Sequence, residues 1–363
     1  MSKIVLIFSL GLLFSCSHKQ WYRGNTHVHT VLCGHADSSP ETVTKWYHDH
    51  GYNFLVLSEH NKFIDPTKVK LPIDKRKDFI LIPGQEITSR RHIHSTAMNI
   101  TRLIPWGYSH RDKHKEIQRH VDDTQAVNGV NILNHPTWHN AVAPQDVFPV
   151  KRLYMFELFN TEFHKIGPKY PSDEIWWDRM LTQGLVMYGV GGDDAHQFKR
   201  FNLKDSNPGR GWVMVRSASL NANAITAAMW NGDFYTSTGV YLQKYKVTDD
   251  EIFVKVDVKS TLKNIEAKIR NRKTNKVINE ALGFKIELIG EKGKILQTIR
   301  GLEGKFKITK KQSYYRVKIS YVQKHPARGL EGYYAWCQPV FTDGRVEKLQ
   351  ILQHEYLKDS HEH

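Results

Sequence analysis

Three histidines lie close together near the start of the chain, at His27, His29 and His35. Side chains two residues apart on a β-strand point to the same side, so His27 and His29 can bind one ion together. The loop that follows can bring His35 back toward that ion. This spacing predicts a metal site, whereas a pair of histidines taken alone is also common on surfaces and in packed cores.

More acids and imidazoles follow the predicted strands, at the point where each strand ends. Short apolar runs at residues 54–57, 79–82, 130–133 and 185–190 are typical of buried strands. The residues that follow them are Glu59, His60, Glu86, His135, Asp194 and His196. In α/β barrels, active sites are built on the face formed by the carboxyl ends of the strands. The sequence therefore predicts one shared site on that face.

The elements that must position these residues alternate between strand and helix over residues 17–240. A further strand is predicted at 154–159, and helices at 39–51, 111–126, 173–182 and 223–231. Ser39 is suited to cap the first helix, and Pro40 to begin it. Strands that alternate with helices predict a parallel α/β architecture and favour a barrel.

The pattern changes after residue 240. Ile252, Val254, Val256 and Val258 alternate with polar residues, and so do the apolar residues of 315–321, with no helical pattern between them. This predicts an antiparallel β domain over residues 245–352, resembling a small β-sandwich. The polar segment 353–363 is predicted to be a tail.

The first residues have the features of an export signal. Lys3 precedes an apolar run from Ile4 to Phe14, which is too short for a mature membrane-spanning helix. The segment ending in Ser15 and Cys16 resembles a bacterial lipobox, so residues 1–16 predict a periplasmic or cell-envelope lipoprotein. A plain signal peptide is the alternative. Export also disfavours nucleic acid as a partner.

Charge and cysteine content add two expectations. The formal net charge is +15, and residues 241–363 hold 25 Lys and Arg against 15 Asp and Glu. Such a segment suits an anionic envelope polymer, lipid headgroups or a phosphorylated substrate, or it simply keeps the protein in solution. Cys33 and Cys337 do not suggest a disulfide framework. We interpret Cys33 as a packed residue, with metal binding by its thiolate as the alternative.

Taken together, these motifs resemble those of the PHP family, the polymerase and histidinol phosphatase domain. The matching motifs are His27-Val28-His29, Glu59-His60, Gly84-Gln85-Glu86, His94, Asn134-His135-Pro136 and Gly192-Asp193-Asp194-Ala195-His196. The resemblance covers about residues 22–240 and implies a distorted (β/α)7 barrel that holds two or three divalent ions. The metal ligands that it implies are His27, His29, His35, His60, Glu86, His94, His135, Asp194 and His196, of which His27, His29, Asp194 and His196 form the catalytic core.

Three positions leave a choice open within this pattern. His35 matches the version of the pattern with three metals, and Asp37 is the alternative in the same loop. Asp193 precedes Asp194, which the Asp-Ala-His motif favours. Glu59 stands where the family has Asp, which leaves its role open.

Other residues near the ligands have weaker claims. His92 competes with His94 for one ligand position, and His139 can reach the rim. Trp138 and three other tryptophans can line the pocket or pack in the core. Basic side chains that can contact a substrate phosphate, or simply face solvent, are Arg90, Arg91, Lys199, Arg200 and Arg210.

The ligand set also predicts the chemistry. Seven imidazoles with two carboxylates suit Zn²⁺, Mn²⁺ or Fe²⁺ better than Ca²⁺ or Mg²⁺. A centre of this kind activates water, so we expect a phosphomonoesterase or phosphodiesterase that acts on a phosphorylated small molecule or polymer. The alternatives are an amide or lactone hydrolase, and an envelope-polymer-binding lipoprotein in which metal stabilises the scaffold.

Overall fold

The computed structural model describes residues 19–71, 75, 77–107, 111–163, 172–202, 204–269, 280–325 and 329–346. The predicted export signal, Cys16 and the tail 353–363 lie outside these residues. Among the helices of the described ranges, none is both long enough and apolar enough to cross a membrane.

Up to residue 192, the described residues contain seven strands and four α-helices, besides short 3-10 turns. The strands are β1 (Gln20–Asn25), β2 (Phe54–Leu57), β3 (Ile80–Thr88), β4 (His94–Met98), β5 (Val130–Leu133), β6 (Met155–Asn160) and β7 (Tyr188–Gly192). The helices are α1 (Pro40–Asp49), α2 (Lys113–Gln125), α3 (Pro144–Val147) and α4 (Glu174–Thr182). Ser39 caps α1 as predicted, because its hydroxyl accepts a hydrogen bond from the backbone N–H of Thr42.

These strands form one mixed sheet in the order β1 to β7. The pairs β1–β2, β2–β3, β5–β6 and β6–β7 are parallel, but β4 is antiparallel to both β3 and β5. The predicted parallel order is therefore wrong at β4. The reason is local: the backbone N–H of Ser89 bonds to the carbonyl of Ile93, and such a short connection can join only antiparallel strands.

The sheet curls until its two ends meet. After β7 the chain forms β8 (Trp212–Ser217), α5 (Ala222–Trp230) and β9 (Phe234–Ser237), and β8 pairs antiparallel with β1 and with β9. The Thr236 hydroxyl of β9 donates to the carbonyl of Gly189 in β7 at 2.7 Å. A Cβ at Gly191 would lie 2.6 Å from the Thr236 methyl, so glycine is needed where these strands approach.

The second part of the chain is mostly antiparallel sheet. Its elements are β10 (Leu242–Val247), β11 (Glu251–Val256), α6 (Val258–Ile269), β12 (Glu280–Ile289), β13 (Ile295–Arg300), β14 (Glu303–Lys307), β15 (Tyr314–His325), β16 (Gly329–Cys337) and β17 (Val340–Phe341). Strands β10, β11 and β14 form a separate three-stranded sheet. The predicted alternation is confirmed in β11, where Ile252, Val254 and Val256 are buried against residues of β12 and β15.

Helix α6 was not predicted. In the sequence, the alternation of apolar and polar residues in β11 continues to Val258. In the structure, the chain turns at Asp257, whose carboxylate accepts a hydrogen bond from the backbone N–H of Ser260 at 2.9 Å. This bond is typical of a helix N-cap and begins α6 one residue later. Val258 consequently belongs to the helix, and the expected strand ends at Val256.

The main sheet continues from the first part of the chain into the second. Strand β16 pairs antiparallel with β9, with Trp336 opposite Thr236. The side-chain amide of Gln338 accepts from the backbone N–H of Gly189 at 2.8 Å and donates to its carbonyl at 2.9 Å. The C-terminal strands therefore support β7, the strand that leads to Asp194.

Candidate metal centre

The site begins where β1 ends and lies beside the end of β7. The backbone N–H of His29 donates to the carbonyl of Ala195 at 3.1 Å, and that of Asp194 donates to the carbonyl of His27 at 3.0 Å. Val28 and Ala195 form a parallel bridge between the two segments. This pairing holds the HxH motif and the Asp-Ala-His motif side by side.

Buried carboxylates orient the first two histidines. His27 Nδ1 lies 2.7 Å from Glu157 Oε1, so this nitrogen donates its proton and Nε2 presents a lone pair. His29 Nδ1 faces Glu59 Oε1 at 3.4 Å in the same manner. The two Nε2 atoms are 3.1 Å apart, and Asp194 Oδ1 lies 3.3 Å from the first and 3.1 Å from the second. Three donor atoms thus converge on one point.

Glu86 lies at the centre of the ligand set. It is fully buried, and its Oε1 accepts a hydrogen bond from the Asn134 amide at 2.8 Å. Its carboxylate oxygens contact the nitrogens of His27 at 3.3 Å, His29 at 3.5 Å, His60 at 2.7 Å, His94 at 3.3 Å and His135 at 3.4 Å. Because its two oxygens face different histidines, this carboxylate can serve two ions.

His35 and His196 form the outer end of the set. His196 Nδ1 lies 2.9 Å from the carbonyl of Asp194, and its Nε2 lies 3.0 Å from Nε2 of the exposed His35. The carboxylate of Asp37, the alternative ligand, instead accepts the backbone N–H groups of Phe198 at 2.9 Å and Lys199 at 3.1 Å. The structure thus brings His35, rather than Asp37, to the other ligands.

The neighbouring acids Asp193 and Asp194 have different surroundings. Asp194 faces the histidines, with a φ of 49° that turns it toward them. Asp193 is saturated by donors from the surrounding loops. These are Asn25 at 2.8 Å, Tyr47 at 2.9 Å, Thr161 at 3.1 Å and the backbone N–H groups of Gly209 at 2.7 Å, Arg210 at 2.8 Å and Gly211 at 2.9 Å. Asp193 therefore stabilises the loop.

The electrostatics of the pocket favour positive charge. Burial lowers the pKa of His29, but hydrogen bonds to Asp194 and Glu59 and the charge of Glu86 raise it to about 9. Burial raises the pKa of Glu86 and Asp194, yet the surrounding histidines hold both well below the ordinary values. Burial and the charge of His29 lower the pKa of His196 to about 3. The ionised carboxylates and the unprotonated His196 are in the states that bind metal, and His29 binds metal by exchanging its second proton for the cation.

Three buried ligand atoms in the pocket make no well-aligned hydrogen bond: Glu86 Oε2, His94 Nδ1 and His135 Nδ1. The first two lie near His60 and Glu86 Oε1, at 2.7 and 3.3 Å, without hydrogen-bond geometry. A buried polar atom whose hydrogen bond is not made costs about 1 to 3 kcal/mol, and coordination of a cation would satisfy it. Several groups of three residues each bring their potential metal-ligand atoms within 4.8 Å of one another. They include His27, His29 and Asp194; His27, Glu86 and His135; and His29, His60 and His196. The residues present therefore fit divalent transition-metal ions.

Three polar residues on or just after β6 join this site, and the sequence prediction missed them. Glu157 accepts from His27 and from the backbone N–H of His135 at 3.0 Å. Asn160 donates to Asp194 Oδ2 at 3.2 Å. The Glu162 carboxylate lies 3.5 Å from His196 Nδ1, and burial and Asp194 raise its pKa to about 7. The sequence feature that could have indicated them is Glu157, an acid within the otherwise apolar residues 155–159 of β6.

An aromatic rim borders the ligands on one side. The ring of Trp138 lies 5.3 Å from His94, 5.1 Å from His135 and 5.2 Å from Phe163. The ring of His92 meets Trp138 edge-on at 4.9 Å and that of His139 lies tilted against it at 4.8 Å, and neither reaches the ligands in the described contacts. The other three tryptophans considered, Trp176, Trp177 and Trp212, are buried in the core.

Most of the basic side chains predicted to contact a substrate phosphate form other hydrogen bonds or ion pairs in the structure. Arg200 pairs with Asp205 at 2.9 Å, and Arg210 donates to the Asn207 side chain at 2.9 Å. Arg91 donates to the carbonyl of Arg111 at 2.7 Å. These three side chains therefore stabilise loops in this structure.

Many residues around the centre have left-handed backbone. Positive φ occurs at Asn61, His92, His135, His139 and Asp194. None is a glycine, and such conformations cost about 1 to 3 kcal/mol each. They cluster where the ligands are presented.

Comparison with known proteins found similar solved structures only. No family model matches the sequence, and no curated protein matches it. A solved structure from Bacteroides vulgatus ATCC 8482 aligns with 83% of this chain and 90% of its own, at 14% identity and a TM-score of 0.45. It is described as a two-domain protein containing a predicted PHP-like metal-dependent phosphoesterase.

Proposed function

We propose that this chain is a metal-dependent hydrolase of the PHP type and that it cleaves a phosphoester. The observation that supports this most directly is Glu86, a buried carboxylate in contact with five imidazoles. The other eight side chains of the implied ligand set, from separate segments of the chain, lie around it. The curled sheet β1–β7, with antiparallel β4, is compatible with a distorted (β/α)7 barrel.

The ligand set suits two or three ions. His27, His29 and Asp194 would hold one ion, Glu86 with His135 and His94 a second, and the histidines around His196 a third. Mixed imidazole and carboxylate ligands favour zinc, manganese or iron. Bound ions supply Lewis acidity for hydrolysis by water.

The residues of the chain prepare this centre. Glu157 and Glu59 hold the rings of His27 and His29 with Nε2 free, which fixes the tautomer that a metal needs. Asn160 and Asn134 hold the two ligand carboxylates, Asp194 and Glu86. No serine is positioned as a nucleophile in the described contacts: the Ser58 hydroxyl, for instance, bonds to the backbone of Val28.

The test combines metal analysis with hydrolysis. The full chain is loaded with Zn²⁺ or Mn²⁺, its metal content is measured, and phosphomonoesters, phosphodiesters, amides and lactones are assayed. We expect at least two ions per chain and turnover of a phosphoester. Less than one ion per chain, or no phosphoester turnover after loading, would refute the proposal. Turnover of amides or lactones alone would show that the centre hydrolyses those bonds instead.

Variants connect that activity to the site. His27→Ala and Asp194→Ala are expected to abolish turnover while near-native circular dichroism is retained. His114→Ala, on the outer surface of α2 beside Gln118 and Pro149, is the matched control and should remain active. Full activity of either site variant would remove that residue from the centre.

We also propose, from the sequence, that the protein is an exported lipoprotein that acts in the cell envelope. Its substrate would be a phosphorylated small molecule or an anionic polymer. Expression in a bacterial host with labelled palmitate tests the anchor: the label should enter the chain and be lost in Cys16→Ser. Equal labelling of the unaltered chain and of the Cys16→Ser variant would contradict the proposed lipid anchor.

A further inference from the structure

The loop between His29 and His35 is folded tightly enough to place its cysteine at the site. Thr30 caps a short 3-10 turn, Val31–Cys33, by accepting the backbone N–H of Leu32. Gly34 follows with a φ of 88° and donates its N–H to the carbonyl of Val31 at 3.2 Å. This left-handed residue reverses the chain, as glycine readily allows, and brings Cys33 and His35 to the same side.

Three different donor atoms meet beside this turn. Cys33 Sγ and ring nitrogens of His35 and His196 all lie within 4.8 Å of one another. His196 is buried, and because its Nδ1 donates to the carbonyl of Asp194, its Nε2 presents a lone pair toward His35. A second group within the same limit joins Cys33 to His29 and Glu59. The sulfur thus lies between the outer histidines and the inner ones.

Cys33 does not have the surroundings of a packed core residue. It is only partly buried, whereas Cys337 is completely buried in the core. Its Sγ accepts the backbone N–H of Ala36 at 3.3 Å, a contact that orients the sulfur. Burial and Glu59 raise the pKa of the thiol, so the sulfur carries its proton until a cation displaces it. Partial burial beside two imidazoles favours the alternative interpretation of Cys33, metal binding by its thiolate.

We infer that Cys33 is a thiolate ligand of the ion held by His35 and His196. This inference rests on the proposed metal centre and adds to its implied nine ligands a tenth of different chemistry. On binding, the metal replaces the thiol proton, which leaves to solvent. Sulfur with two imidazoles selects zinc or ferrous iron at this position over magnesium or manganese, so one end of the centre differs in metal preference from the rest.

Cobalt substitution tests this inference without using activity. The full chain is loaded with Co²⁺, bound cobalt is counted, and the near-ultraviolet thiolate-to-cobalt charge-transfer band is recorded in the same sample. We expect the band in the unaltered chain and in Cys337→Ala, the matched control. It should disappear in Cys33→Ser and in Cys33→Ala, and the affinity for one cobalt ion should fall at least tenfold.

The outcomes separate this inference from the proposed function. Cobalt bound without a thiolate band would overturn the role of Cys33 and leave the metal centre intact. A band that persists in both Cys33 variants would also overturn it and would assign the sulfur to another cysteine. No cobalt bound to the unaltered chain would overturn the metal centre and, with it, the role of Cys33.

Discussion

Replacing Arg316 with Met is expected to destabilise the fold by about 3 to 5 kcal/mol, because it leaves the buried carboxylate of Asp178 without its cation and leaves Glu174 with Lys318 alone. Arg316 lies on β15 with 2% of its surface exposed. Its guanidinium donates to Asp178 of α4 at 2.6 and 2.8 Å and to Glu174 at 2.9 Å. These bonds join the C-terminal sheet to the helix that precedes β7.

The effect should depend on pH. Burial raises the pKa of Glu174, but Arg316 and Lys318 lower it to about 2. An unfolded glutamate has a pKa of about 4.3, so the folded state gains stability from this group above that pH. The gain, on the order of 3 kcal/mol, is lost as the pH falls from about 4 to 2. The variant should therefore differ most from the unaltered chain near neutral pH.

Urea unfolding followed by tryptophan fluorescence at pH 7 and pH 3 measures both effects. Lys255→Met is the control, because Lys255 forms an exposed pair with Glu303 at 3.5 Å and should change stability by less than about 1 kcal/mol. Adding Glu174→Gln to Arg316→Met should recover part of the loss. A loss below 1 kcal/mol at pH 7, or an equal loss at both pH values, would refute the reasoning.

Three further predictions concern other parts of the molecule. Glu157→Gln keeps the shape of the side chain but weakens the orientation of His27, so metal affinity measured by chelator competition should fall about 10-fold to 100-fold; an unchanged affinity would contradict this role. Both carboxylate oxygens of Glu116 are buried without a hydrogen bond, so Glu116→Leu should raise the urea midpoint, and a lower midpoint would mean that the carboxylate has a stabilising partner. A chain that ends at residue 240 loses the strand paired with β9 and should be insoluble or unfolded by circular dichroism, whereas a folded, soluble product would show that the first part is independent.

The strands and ligands could be predicted because the pattern that identifies them is local. Residues 54–57 are apolar throughout, residues 130–133 are apolar except at Asn131, and the two runs match β2 and β5 at both ends. A polar residue directly after such a strand lies at the carboxyl edge of the sheet, so His60 and His135 could be placed without knowing the pairing order. The PHP resemblance then completed the ligand set.

The features that the sequence did not reveal depend on contacts between distant segments. Glu157 lies inside β6, and only the curling of the sheet brings its carboxylate to His27 of a distant segment. The direction of β4 follows from a turn of a few residues, and the pairing of β16 with β9 joins residues about 100 positions apart. The choice between packing and metal binding for Cys33 depends on its closeness to His196, far along the chain.

The left-handed residues around the centre have a consequence for how this protein can evolve. The ligands His135 and Asp194 each place a non-glycine side chain in a conformation that the backbone alone disfavours. Substitutions that relaxed these positions would make the fold more stable and disperse the ligands. A descendant freed from selection for the proposed activity should therefore lose these residues early and gain thermal stability, while the capped helix α1 and the buried strand β2 change little.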